Sequence, residues 1–386
     1  MVGKRSHVNS MSPPPQNIDP GGIADRMGSL SGVAALREAL AGERAFLVGG
    51  AVRDLLLGVS HPDLDVAVEG DAPAAARRLG ANPVAHERFA TATVELDGVR
   101  VDLASTRTER YPRPGALPDV EPASLERDLA RRDFTVNAMA IPLAGDPELI
   151  DPHEGLEDLR AGTLSVLHPG SFDDDPTRAL RAARYAARLG FEIEPVTFEL
   201  LTVTDLGTVS SERIEAELRR IAAEDTAPAA FELLAQWGLA GIDRGVGARL
   251  AALQAILARP EWADLVDAPD AVYALGTPDP GLEAGALRLS SATPRRPSEG
   301  TALARGRHPT ELVAARVAGA GWLDDYVRDW RHVGLEIDGS DLMAAGIPEG
   351  RAVGRGLAAA LDAKLDGEVS DRDDELRVAL AAAEGS

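Results

Sequence analysis

The feature that most restricts the fold is a change of pattern partway along the chain. From Leu30 to Ala161, short β-like runs alternate with helical stretches; Ala45–Val48, Leu64–Val68, Ala92–Leu96 and Val99–Leu103 are the strand candidates. After Pro176 the β signal stops. From there to the C-terminus, Ala, Leu, Arg and Glu recur at helical spacing, broken by Gly, Pro and Asp. A small α+β head followed by an all-helical remainder is the expected architecture. Residues 1–30, rich in Gly, Pro, Ser and Asn without an apolar period, read as a disordered lead-in. Within the helical half the weakest order is expected over Gly276–Pro309, which contains Pro-Asp-Pro-Gly and Thr-Pro-Arg-Arg-Pro.

Composition narrows the function. With 386 residues the chain exceeds one ordinary domain, and two to four compact units are expected. It contains no cysteine, which excludes disulfides and cysteinyl zinc sites, and its seven histidines form no metal-binding pair at helical spacing. No apolar run is long enough to cross a bilayer, and the N-terminus lacks the apolar core of a signal peptide, so a cytoplasmic protein without a membrane partner is expected. The net charge of −22 argues against a general nucleic-acid binder. Any RNA would have to meet a local concentration of arginine, because a site is made by local and not global charge.

Residues 46–58, Phe-Leu-Val-Gly-Gly-Ala-Val-Arg-Asp-Leu-Leu-Leu-Gly, read as a strand, a tight turn at Gly49-Gly50 and a short helix closed by Gly58. Paired glycines let backbone approach a ligand and aim helix N–H groups at phosphate, although many such turns carry them for steric reasons alone. Asp63 and Asp65 follow, two apart in a strand, so both side chains share one face while Leu64, Val66 and Val68 take the other. Asp102, between Val101 and Leu103, projects opposite an apolar face in the same way. Neighbouring carboxylates repel unless a cation lies between them, and an all-oxygen set suits Mg²⁺. Three such groups can hold two ions and support phosphoryl-transfer chemistry.

Gly-Gly-x-x-Arg-Asp, Asp-x-Asp and a hydrophobic-Asp-hydrophobic strand, in that order, resemble the head of the polymerase-β-like nucleotidyltransferases. The segments at 131–140 (Arg-Arg-Asp-Phe-Thr-Val-Asn-Ala-Met-Ala), 150–162, 172–193 and 337–354 are similar, in order, to the class II tRNA nucleotidyltransferase (CCA-adding enzyme) and bacterial poly(A) polymerase family. The resemblance implies a head with a small mixed sheet over 31–165, a helical neck over 166–225, a helical body over 226–320 and an RNA-binding helical tail over 321–386. It implies Mg²⁺ on Asp63, Asp65 and Asp102, with ATP, CTP and tRNA, and not DNA, as partners. The activity it implies is template-independent addition of CCA to the tRNA 3′ end. Addition of the terminal A alone stays open as the nearest alternative, since residues 107–122 occupy the place of the flexible loop needed for A addition and look full length. A poly(A) polymerase, or a catalytically silent RNA-binding relative, stands further off.

Asp175, Arg178, Arg181 and Arg184 are spaced by three and Arg188 follows by four, a cationic ridge if the segment is a helix. Asp175 before Pro176 is also a strong helix cap. By resemblance, Asp175 and Arg178 would read the Watson–Crick edge of the incoming base, with Arg181 and Arg184 supporting the nucleotide. Gly50, Arg53 and Arg132 match the remaining nucleotide-binding positions. Two departures stand out: Asp174 replaces the family's usual Glu, and Phe89-Ala90-Thr91 lacks its usual Gly.

Overall fold

The computed structural model describes residue 18 and residues 21–59, 63–79, 84–86 and 90–385. The lead-in expected at residues 1–17, 19 and 20, together with Phe89, lies outside the described residues. For residues 21–30 the expected disorder is a correction. Gly22 and Gly32, both at positive φ, precede the short helices Ile23–Gly28 and Val33–Ala39, whose Ile23, Met27, Val33 and Leu36 are buried. Ile23 and Met27, four apart, and Val33 and Leu36, three apart, do stand at helical spacing; Gly28, Ser29, Ser31 and Gly32 split them into two single turns, and each pair supplies the buried side of its own short helix.

The chain forms two compact units, one running to Ile221 with Gln236–Ala240 added, the other made of Ala222–Ala235 and Gly241–Ser386. Among the described residues the first contains all the β structure. Its strands are β1 (Ala45–Val48), β2 (Asp63–Val68), β3 (Val84–His86), β4 (Thr91–Leu96), β5 (Val99–Ser105), β6 (Arg107–Arg110), β7 (Asp119–Pro122) and β8 (Ala140–Pro142), followed by the short pair Thr163–Leu164 and Glu192–Ile193. The principal sheet runs β3-β4-β5-β2-β1-β8. Only β2 and β5 pair in parallel, so the sheet is mixed, as the sequence resemblance implied. In β2, Leu64 and Val66 are fully buried while Asp63 and Asp65 face out, which is the alternation that marked this strand in the sequence. Strands β6 and β7 form a separate two-stranded ribbon. Its Gly115 approaches Thr208 so closely that a Cβ there would lie 2.5 Å from the Thr208 carbonyl oxygen, and the Gly115 N–H donates to the Asp173 carbonyl at 3.2 Å.

The second unit is wholly helical among the described residues. No helix of the described residues is long and apolar enough to cross a membrane. The weak order expected over Gly276–Pro309 is corrected: helices Pro280–Ser290 and Pro297–Ala304 fill most of it. Both prolines stand at the first helical position, where the missing N–H has no partner to lose. Asp279 caps the first of these helices by accepting from the Gly281 and Leu282 N–H groups, each at 3.0 Å. The Pro-containing motifs that signalled weak order are therefore helix starts.

Asp279→Ala should cost about 1 kcal/mol in urea denaturation followed by far-UV circular dichroism, the usual worth of an N-cap, while Asp279→Ser should cost little.

Candidate functional site

Strand β1 ends at Val48 and the chain turns through Gly49 (φ 65°) into the helix Gly50–Leu56. A Cβ on Gly49 would lie 2.7 Å from an Arg132 guanidinium nitrogen, so this glycine is required both by its backbone angle and by the approach of Arg132. Beside the turn, register sets Asp65 against Asp102 and Asp63 against Arg100 on the parallel pair β2–β5, so Asp63, Asp65 and Asp102 share one sheet face. Asp65 opens into a recess whose enclosure pushes its pKa up. The neighbouring charges of Asp102 and Asp63 push the same way, opposed by Arg132 and Arg53. Asp102 accepts from Thr93 Oγ1 at 2.5 Å and from Arg100 Nε at 3.1 Å. Among the described residues no three acidic or histidine side chains converge as a ready cation cage. The three carboxylates are nevertheless close enough to repel, and they offer oxygen donors alone; that donor set fits a hard divalent ion.

A cavity of about 570 Å³ lies against the turn, entirely within the first unit. Its walls bring together Gly49, Gly50 and Asp65 with Asp175 and seven arginines: Arg107, Arg131, Arg132, Arg178, Arg181, Arg213 and Arg220. Five carboxylates share that lining (Asp65, Glu109, Asp133, Asp175 and Glu217), so the seven arginines leave a small local excess of positive charge in a chain of net charge −22. Of the expected nucleotide residues, Gly50, Arg132, Asp175, Arg178 and Arg181 line the cavity, and Asp65 reaches it.

The helix Thr177–Leu189 carries the expected ridge, but its arginines do not form a free cationic face. Arg178 is buried and donates to Ser171 Oγ at 2.6 Å and to the Arg131 carbonyl at 2.6 Å. Arg181 donates to Asp133 Oδ2 from Nε (2.8 Å) and Nη2 (2.5 Å). Arg184 and Arg188 lie 3.8 Å from Glu217 and 3.6 Å from Asp54. Neither Asp173 nor Asp174 pairs with the ridge; instead, Asp174 lies 3.7 Å from His168. Asp175 does cap the helix: its Oδ1 accepts from the Thr177 N–H (3.0 Å) and hydroxyl (2.6 Å), and from Arg213 at 2.9 Å. Its Oδ2 has no hydrogen-bond donor among the described residues.

Two expected ligand residues stand elsewhere. Arg53 is only 2% exposed and does not line the cavity. Its guanidinium donates to both Asp54 oxygens at 2.6 and 2.7 Å and to Asn137 Oδ1 at 2.5 Å, and it lies over the Tyr185 ring at 5.2 Å. Arg184 stacks on the Tyr185 ring at 4.7 Å and does not line the cavity either, although Tyr185 does. Arg53 is withdrawn because a buried guanidinium must find acceptors, and it finds them in Asp54 and Asn137.

Sequence reasoning passed over the residues that organise this wall. Asp133 is buried, accepts from Asn137 Nδ2 at 3.0 Å and from Arg181, and so joins the Arg53 cluster to the ridge helix. Burial alone would raise its pKa; the Arg181 guanidinium and the Asn137 amide hold it well below the ordinary carboxylate range. Glu217 faces Arg181, Arg184 and Arg220. Tyr185 gathers Arg53, Arg181 and Arg184 around its ring. Tyr185 was within reach of the spacing argument, four residues beyond Arg181; Glu217 and Arg213 gave no sequence signal.

The Poly A polymerase head domain model matches residues 45–165. Over 354 residues the chain is 36% identical to the CC-adding tRNA nucleotidyltransferase of Deinococcus radiodurans, which spans 87% of this chain and 88% of that protein. The chain belongs to the class II tRNA nucleotidyltransferases. It is also 34% identical to the A-adding tRNA nucleotidyltransferase of Geobacter sulfurreducens across 88% of this chain, but the match spans only 45% of that longer relative. With several such curated relatives the chain spans half their length or less. Among solved structures, a CCA-adding enzyme in apo form matches with a TM-score of 0.80 at 28% identity, covering 93% of this chain and 98% of that one. A Thermotoga maritima CCA-adding enzyme complexed with tRNA matches with a TM-score of 0.75 at 26% identity over 94% and 98%. Nucleotidyltransferases of this family generally use a divalent metal.

The depressed Asp133 carboxyl has a consequence for stability. Its contribution is fully present above about pH 5 and is lost as the pH falls below the unfolded-state value near 4. Melting followed across pH 2 to 7 should show a drop in this interval. Asp133→Asn should flatten the drop and lower the melting temperature at neutral pH, where Arg181 loses its hydrogen-bonded charge partner and keeps only the more distant Glu217.

Proposed function

We propose that the chain adds CCA to the 3′ end of tRNA, using CTP and ATP and no nucleic-acid template. The observation that carries this reading is the single cavity that joins the glycine turn and Asp65 to Asp175 and an arginine-lined wall. The seven arginines provide charge for a triphosphate without any excess on the chain as a whole. Arg178 has five N–H donors, three of which serve Ser171 and Arg131, so two are left for a base edge. Asp175 Oδ2 supplies an acceptor beside them. An acceptor and paired donors suit the Watson–Crick edges of both cytosine and adenine, and a mismatched base leaves polar groups unpaired.

The tRNA 3′-hydroxyl attacks the α-phosphorus of the bound nucleotide, and pyrophosphate leaves. Asp63, Asp65 and Asp102 would hold Mg²⁺, which when bound lowers the pKa of the attacking hydroxyl and offsets charge on the leaving group. The glycine turn and Arg132 orient the phosphates. The helices of a neck (166–225), body (226–320) and tail (321–386) would hold the acceptor arm of tRNA by shape and backbone. Such a substrate is met in the cytoplasm.

The test offers purified protein a tRNA lacking CCA and a tRNA ending in CC, with CTP and ATP separately and together. Full CCA on the first substrate, requiring both nucleotides, is the expected result. Extension of the second with ATP alone, and no extension of the first, would make the chain an A-adding enzyme; long A tails would make it a poly(A) polymerase. Asp65→Ala and Asp63→Ala should each abolish addition, by at least about a thousandfold, with unchanged circular dichroism. Asp175→Asn keeps an acceptor for the Thr177 N–H. It should therefore melt within a few degrees of wild type yet lose discrimination among the four nucleoside triphosphates.

A further inference from the structure

Strand β5 carries a second polar group toward the acidic face. Arg100 lies two residues before Asp102 and so projects from the same side of the sheet. Register places it directly beside Asp63, just as it places Asp65 beside Asp102. Its Nε lies 3.1 and 3.3 Å from the two Asp102 oxygens, and its Nη2 lies 3.3 Å from one of them. The guanidinium side chain is 60% exposed, so it is not fixed by packing. Bonding to Asp102, helped by the charges of Asp63 and Asp65, raises its pKa further and keeps it charged. One solvent-exposed positive charge is thus lodged beside three carboxylates, on β5.

Resting on the assignment of these carboxylates to a divalent ion, we propose that Arg100 is a resident counter-cation of the acidic face. It holds Asp102 and relieves repulsion while no divalent ion is bound, and it gives up Asp102 when one binds. Arg100 therefore competes with the ion, lowers its affinity and keeps the ion-free face folded. Two physical points support this role. The contact is made to a carboxylate counted among the ion's ligands, so guanidinium and ion cannot both use the same lone pairs. An exposed pair is weak enough, at most about fivefold in an equilibrium constant, to yield to a doubly charged competitor.

The test measures binding of Mn²⁺ to the full chain without nucleotide or tRNA, by the electron paramagnetic resonance signal of the free ion. Arg100→Gln and Arg100→Thr, the latter a strand-favouring residue, should each bind Mn²⁺ about two- to fivefold more tightly than wild type. Arg100→Lys, which keeps the charge, should stay near wild type. Melting supplies a second reading: in EDTA the Gln and Thr variants should melt below wild type, and saturating Mn²⁺ should raise their melting temperatures by more than it raises that of wild type. Unchanged or weaker Mn²⁺ binding in both neutral variants, with wild-type binding still dependent on Asp65, would overturn the counter-cation role and leave the ion site standing. Wild-type Mn²⁺ binding by Asp65→Asn would overturn the ion site itself, and the role of Arg100 with it.

Discussion

The pairing of Asp133 with Arg181 is the contact on which the cavity wall depends. Asp133 follows Arg132, which reaches the glycine turn, and Arg181 lies on the ridge helix, so one ion pair ties together segments 48 residues apart. Through Asn137 the same carboxylate is linked to Arg53, which lies 84 residues from Asn137 on the helix after the turn. Charges buried this way are stable only as a set, because removing one member leaves its partner desolvated and unpaired. Each guanidinium of that set is held by several hydrogen bonds, and donors held in place suit a pocket that must choose between bases.

An acidic chain and an arginine-lined cavity are reconciled by the same bookkeeping of partners. Most ridge arginines meet a carboxylate inside the protein, and of the four only Arg178 and Arg181 line the cavity. The acidic face on β2 and β5 is the mirror case, where carboxylates are left with one exposed arginine. Negative charge on one side of the glycine turn and positive charge on the other is the electrostatic layout a triphosphate with a divalent ion would fit.

Much of the fold was legible because it is written in local pattern. Alternation placed β1, β2, β4 and β5 to within a residue or two of their observed ends, and it set Asp63 and Asp65 on one face before any partner strand was known. Where local pattern was misleading, the cause was also local. Pro280 and Pro297 act as helix starters and not as breakers, and the helically spaced apolar residues at 23–36 are cut by Gly28, Ser29, Ser31 and Gly32 into two single turns. The ridge helix was found by spacing, but spacing says only which side chains share a side.

The sequence by itself determined the order of elements, the sharing of one sheet face by Asp63 and Asp65, and the family to which the motifs point, because periodicity and motif order are properties of neighbours along the chain. Tertiary structure alone decided which arginines reach the cavity. Arg53 and Arg184 turned inward to Asn137 and Tyr185, and Asp102 turned toward Arg100 and Thr93. A charged side chain goes where its desolvation is best offset, and for these residues the acceptor or ring that offsets it is supplied by distant segments as often as by neighbours.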